Sequence, residues 1–177
     1  LLIFLMIISQ MILAQSSSDC GGTVQVCGNT PISFTPTGPG DIKEDLGGCM
    51  TSDEHFSIWY TFTVATSGTL TFTIVPNAMA NDYDWALYGP DVACSSLGTP
   101  IRCNYSGTSG LTGLNFTNTN TTSDAAGSPF CSFMNVVAGQ TYYIVVDNFS
   151  QSANGFVLNW GGTATLVSPF NSAFQPN

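Results

Sequence analysis

Apolar residues in this chain recur at every second position, in short runs separated by turn residues. In IWYTFTVA (58–65), Ile58, Tyr60, Phe62 and Val64 fall on one face, and Thr61 and Thr63 on the other. Thr66-Ser67-Gly68 follows as a turn, and Leu70, Phe72 and Ile74 continue the pattern in TLTFTIVP. Successive side chains of an extended strand point to opposite faces, so this period calls for strands and rejects a helix of 3.6 residues per turn. Two such runs across a short turn predict a β-hairpin. The same alternation places Tyr142, Ile144 and Val146 on one face of TYYIVVDNF, and Phe156, Leu158 and Trp160 on one face of GFVLNW. Counting 31–36, 84–89, 100–105, 133–138, 141–148 and 155–166, eight or nine short strands are expected, with no amphipathic helix. That pattern predicts an all-β fold, an antiparallel, jelly-roll-like β-sandwich over residues 19–166. Residues 106–128 are expected to form a long loop, and 167–177 a tail or linker.

Composition narrows the function. Two Lys or Arg stand against eleven Asp or Glu, for a net charge of −9. A nucleic-acid groove needs several basic side chains to displace counterions, so no nucleic-acid partner is expected. The same scarcity removes a polybasic membrane patch. Ser, Thr, Asn and Gly supply 71 of the 177 residues, yet 44% of the chain is hydrophobic, enough to build a core.

Residues 1–14, LLIFLMIISQMILA, are apolar except Ser9 and Gln10. The run is shorter than the ~20 residues of a membrane span, so no stable span is expected. It reads as the apolar part of an export signal with Ala14 at the cleavage point, although the charged start of such a signal is missing. The alternative is a retained apolar arm over 1–15. Six cysteines, Cys20, Cys27, Cys49, Cys94, Cys103 and Cys131, read in an exported chain as three disulfides. Six cysteines allow 15 pairings. Proximity favours Cys20–Cys27 and Cys94–Cys103, which leaves Cys49–Cys131.

Seven segments in order carry a resemblance: DCGGTVQVC (19–27), GPGDIKEDLGGCM (38–50), EHFSIWYTFTVATSGTLTFTI (54–74), NDYDWALYGPDVAC (81–94), PIRCNYS (100–106), AGQTYYIVVDNFS (138–150) and GFVLNWGG (155–162). Together they resemble the N-terminal β-sandwich module of surface proteins from gliding, type IX-secreting bacteria. That module is similar in turn to the bacterial pre-peptidase C-terminal (PPC) domain. The resemblance implies a non-catalytic, extracellular sandwich, usually one module of a longer adhesive or enzymatic protein. A single sandwich with a short tail then implies a piece of such a protein, or a subunit that works through self-association.

Several residues invite a chemical reading. Asp82 and Asp84, two apart on a strand, share a face that Tyr83 and Trp85 do not. Close carboxylates in a chain nearly without cations repel unless a cation joins them, and calcium takes six to eight oxygens. Asp147, Asn148 and Glu54 (or Asp41) are the candidates to complete such a site. The competing reading is a turn whose carboxylates accept backbone N–H bonds. Asp53-Glu54-His55 offers the only histidine, with no nucleophile motif beside it, so the acids are expected to cap a turn. Trp59 and Tyr143 sit opposite their strands' main apolar series and are expected to be exposed, as candidates for stacking on sugars. Sequons at Asn104, Asn115, Asn120 and Asn148 are possible glycosylation sites.

Exposed sheet edges accept strands from neighbours, and a head-to-tail contact that does not close makes a filament. The leading expectation is therefore a secreted or cell-surface structural or adhesive protein, a homopolymer joined by exchange of terminal strands. The alternative is a calcium-dependent carbohydrate-binding module that takes glycans.

Overall fold

The computed structural model describes residues 16–50 and 54–168. The apolar run 1–15, Asp53 and most of the expected tail lie outside the described residues. Thirteen strands are described: β1 (Val24–Gln25), β2 (Ile32–Phe34), β3 (Phe56–Thr66), β4 (Gly68–Pro76), β5 (Tyr83–Tyr88), β6 (Arg102–Asn104), β7 (Thr112–Asn115), β8 (Thr122–Ser123), β9 (Phe130–Ser132), β10 (Met134–Val136), β11 (Thr141–Asn148), β12 (Phe156–Gly162) and β13 (Thr165–Leu166). A 3-10 turn, Cys20–Gly22, precedes them.

The strands form two sheets. The first runs β1-β3-β11-β5-β6-β8, with β13 also paired to β3; the second runs β2-β12-β4-β7-β9, with β10 also paired to β4. The expected sandwich is therefore present. Its pairing is mostly antiparallel, but β1–β3, β6–β8 and β7–β9 are parallel.

The expected hairpin of β3 and β4 is not. These strands are separated only by Ser67 yet belong to opposite sheets. A hairpin would set their apolar faces side by side. Here Tyr60 and Phe62 of β3 lie across the core from Leu70 and Phe72 of β4, and both strands bury their alternate residues in one cluster. The period of two is the same for either connection, which is why the sequence pattern could not separate them. Within the core, aromatic pairs bridge the sheets: Phe72 meets Trp85 edge-on at 4.9 Å, Phe62 meets Trp160 at 5.0 Å, and Tyr83 meets Phe156 at 5.2 Å. Such pairs contribute ~1 kcal/mol each beyond area burial.

Residues 106–128 depart from the expected loop, because β7 and β8 lie within them. Gly113 explains part of the difficulty. Its φ is +146°, and an added Cβ would stand 2.2 Å from the Phe72 carbonyl oxygen. A glycine that weakens strand propensity in the sequence is the residue that lets β7 approach β4.

A third layer covers the outer face of the first sheet. Cys20, Leu46, Met50 and Leu97, all from turns and loops, pack with Trp59 of β3, Ala86 and Tyr88 of β5, and Val145 of β11. All six residues of β5 are consequently buried, on both faces. Two disulfides tie this layer down: Cys20–Cys94, 74 residues apart, and Cys49–Cys103, 54 apart. Closing loops of this length stabilises by about 4 kcal/mol each in the chain-entropy account. None of the three expected pairings occurs. Cys27 and Cys131 are unpaired, the first exposed and the second buried. Cys131 faces the core between the sheets while Cys49 packs in the outer layer, so the first sheet separates them.

Candidate functional site

The outer layer and the first sheet meet over a set of buried carboxylates. Asp147 of β11 lies in register with Asp84 of β5 on one side and Ser57 of β3 on the other. By strand alternation Asp84 and Asp147 face the outer layer, as do Ala86 and Val145. Asp147 is 1% exposed and accepts two bonds from His55: the backbone N–H to Oδ1 and ring Nδ1 to Oδ2, both 2.8 Å. The His55 ring also meets Phe149 edge-on at 4.8 Å. Asp82 precedes β5, and its N–H donates to Ser150 Oγ at 2.8 Å. One carboxylate oxygen of Asp82 and one of Asp84 are buried without a hydrogen-bond partner among the described residues.

This setting disfavours charge. Burial, then the neighbouring Asp82 and Asp147, push the Asp84 carboxyl up to about 8. Burial raises Asp82 as well. It also raises Asp147, against the opposing pull of its His55 hydrogen bonds and charge.

A second acid group pins the layer further along the sheet. Glu54 Oε2 accepts the Glu44 N–H at 2.9 Å, and Oε1 accepts the Trp59 indole N–H at 3.2 Å. Burial, with hydrogen bonding and repulsion from Glu44, pushes Glu54 up to about 8. Glu44 accepts the Cys20 N–H at 2.7 Å, and Asp19 Oδ1 accepts the N–H groups of Asp41 and Ile42, each at 2.9 Å. Chemically these acids act as acceptors for loop N–H groups that no strand satisfies. The sequence reading has Asp53 and Glu54 capping a turn; Asp53 lies outside the described residues, and Glu54 accepts from Glu44, ten residues away, and from the Trp59 indole. That Asp19 and Glu44 also accept loop N–H groups carries no sequence signal beyond their loop context.

The expected calcium donors are brought together only in part. Asp82, Asp84 and Asp147 gather at one end of β5 and β11. Asn148 lies on the opposite face, where its amide donates to the Tyr83 hydroxyl at 3.1 Å and the Ser152 carbonyl at 2.9 Å. Glu54 is engaged by Trp59 and Glu44, and Asp41 is bound through its N–H to Asp19. Among the described residues, no three His, Cys, Asp or Glu side chains are arranged to hold a metal ion. The residues present therefore do not fit calcium as the sequence reading grouped them.

The expected stacking platform is also corrected. Trp59 is fully buried beneath the outer layer and stacks on Tyr88 at 5.7 Å. Tyr143 is half-buried against the same cluster. Alternation assigned these residues correctly to the outer face; the layer that covers that face is what makes it interior. Of the four sequons, Asn104 is 1% exposed and Asn148 fully buried, with both amides engaged, so neither has room for a glycan. The Asn120 amide donates to the Thr122 and Phe130 carbonyls. Asn115 is half-buried, and its Oδ1 accepts the N–H groups of Thr117 and Asn118.

A cavity of about 440 Å³ opens between residues 44–47 and 94–98, lined by Glu44, Asp45, Gly47, Cys94, Ser95, Leu97 and Gly98. Among the described residues, no helix is long and apolar enough to cross a membrane.

Two packed sheets under a stapled outer layer define the chain as a disulfide-stapled β-sandwich, and its disulfides are compatible with an oxidising, extracellular setting. No protein-family model and no curated protein matches it. Among solved structures it is similar to the pre-peptidase C-terminal domain of a collagenase from Bacillus anthracis, with 15% sequence identity and a TM-score of 0.42 over 77% of this chain and 92% of that one.

Proposed function

We propose that this chain is a non-catalytic, extracellular structural or adhesive protein that self-assembles through its terminal segments. The observation that carries the reading is where the two ends of the described chain run. Both lie along the same edge of β3. The Trp59 N–H donates to the Ser17 carbonyl and the Val26 N–H to Thr61, at 2.9 and 2.8 Å, while the Val167 N–H donates to Thr63 at 2.8 Å. The Gly28 N–H then joins one end to the other, at 2.9 Å from the Val167 carbonyl. Each terminal strand is only two residues long. Strands held by so few bonds are the ones a neighbour's segment can replace. A second acceptor lies on β12, where β2 pairs with Phe156, Val157 and Leu158 and no other described strand pairs on that side of 159–162.

His55 supports the non-catalytic side of this reading. Its backbone and ring both serve to tie residue 55 to the end of β11. The segments that resemble surface-protein modules support the extracellular setting.

Negative-stain imaging of the full chain, beside chains lacking 1–15 or 169–177, tests the proposal. Fibres from the full chain that disappear on removal of one segment are the expected result. Single particles from the full chain at every concentration overturn it.

A further inference from the structure

The charges are distributed over one side of the sandwich. β2, β4, β7, β9, β10 and β12, which make up the second sheet, contain no Asp, Glu, Lys or Arg. The charged residues that are described sit on the first sheet, in its outer layer or in loops. Arg102 of β6 reaches toward the second sheet, but its guanidinium is bound to the Ser132 and Phe133 carbonyls at 3.0 and 3.1 Å.

The outer face of the second sheet is consequently neutral. At its centre β4 and β12 set three facing pairs in register: Val75 with Val157, Thr73 with Asn159, and Thr71 with Gly161. Their alternate neighbours Leu70, Phe72, Ile74, Phe156 and Leu158 fill the core, so these six look outward. All six are half-exposed. The Thr71 hydroxyl leans over Gly161, where a Cβ would stand 2.7 Å from it, so the face stays flat. The side chains of Thr71, Thr73 and Asn159 make no hydrogen bond among the described residues.

We propose that this face is where two copies of the chain meet, sheet against sheet. Three arguments select a second copy. A molecule at −9 repels its own kind over every acidic surface, and this face is where two copies approach without opposed charges. Hydroxyls and amides both donate and accept, so the same patch complements itself, as a two-fold contact requires. Five strands about 4.8 Å apart and three to nine residues long offer about 400 Å² per copy. Two such faces make about 800 Å², at the small end of the range, where protein contacts are weak and reversible. The contact is separate from terminal-strand exchange, because it uses the middle of the second sheet and neither chain end.

Sedimentation equilibrium of the full chain reads it directly. A monomer–dimer equilibrium in the range of about 10–100 μM is expected. Raising the salt from about 0.05 to about 0.5 M should tighten it several-fold, because salt screens the self-repulsion and breaks no ion pair. Thr73→Glu should weaken it at least tenfold, while Thr99→Glu, an equal charge change on an exposed loop, should not. Chains lacking 169–177 should dimerise unchanged even if they no longer form fibres. A monomer throughout, a dimer loosened by salt, or equal effects of the two glutamates overturns the proposal. So does a monomer that a neutral polysaccharide resin retains and Thr73→Glu releases, since the face would then take a glycan. The salt series on the unaltered chain decides the matter if Thr73→Glu fails to fold.

Discussion

Asp84 shows what a single side chain contributes. It stands between Asp82 and Asp147, 5% exposed, with His55 bound to Asp147. Its carboxyl is ordinarily near 4 and stands at about 8 in the folded protein. An acid whose folded value is raised contributes stability that is fully present below its unfolded value and is lost as pH climbs to the folded one. Glu54, facing Glu44 and the Tyr88 ring system beneath the outer layer, adds to the same trend. The protein should therefore be most stable near pH 4–5 and lose a few kcal/mol by pH 8. Thermal melts at pH 5 and pH 8 measure this, and Asp84→Asn should raise the melting temperature at pH 8 and flatten the difference. A melting temperature that climbs from pH 5 to pH 8 would contradict it. Trp59 makes a second residue-scale case. Removing its fully buried indole should cost about 3–5 kcal/mol and leave Glu54 Oε1 without its indole donor. A denaturation curve of Trp59→Ala checks that; a sugar-stacking residue would unfold no more easily when removed.

At the scale of elements, alternation identified β3, β4, β5, β11 and β12 because each buries its alternate residues on a common core. It could not say which sheet each joins. β3 and β4 are neighbours in the chain and face each other across the core, and only contacts made by β11 and β12 decide that. β7 and β8 were illegible for a different reason: Gly113 and the surrounding Ser, Thr and Asn carry little apolar signal, and their pairing is with distant strands. Gly113→Ala tests the close approach. The substitution forces a Cβ onto the Phe72 carbonyl and should destabilise by more than the ~1 kcal/mol of an ordinary glycine exchange. The cysteine pairing was lost in the same way, since loops far apart in the chain meet over the first sheet. Non-reducing peptide mapping should recover Cys20–Cys94 and Cys49–Cys103, with Cys27 labelled by a thiol reagent in the native state and Cys131 only after unfolding. A Cys27–Cys131 link or any of the three pairings expected from the sequence would be incompatible with this fold.

The whole molecule is two-sided. One sheet is sealed by a layer of loops, held by two disulfides and by carboxylates that accept loop N–H groups; the other presents Thr, Asn, Gly and Val without charge. Such an arrangement gathers the charged side chains on the first sheet, its outer layer and the loops, and leaves the strands of the second sheet without charge. The alternation of residues by itself determined that this chain makes strands and which side of each strand is apolar, because side-chain direction in a strand depends only on parity. The scarcity of Lys and Arg likewise sets the expectation that nucleic acid is no partner, since counterion release needs those charges wherever the fold puts them. Which strands share a sheet, which cysteines pair, and whether Trp59 meets water or protein were decided by tertiary structure alone. Each depends on what a distant segment lays over a face, and no local pattern records the arrival of that segment.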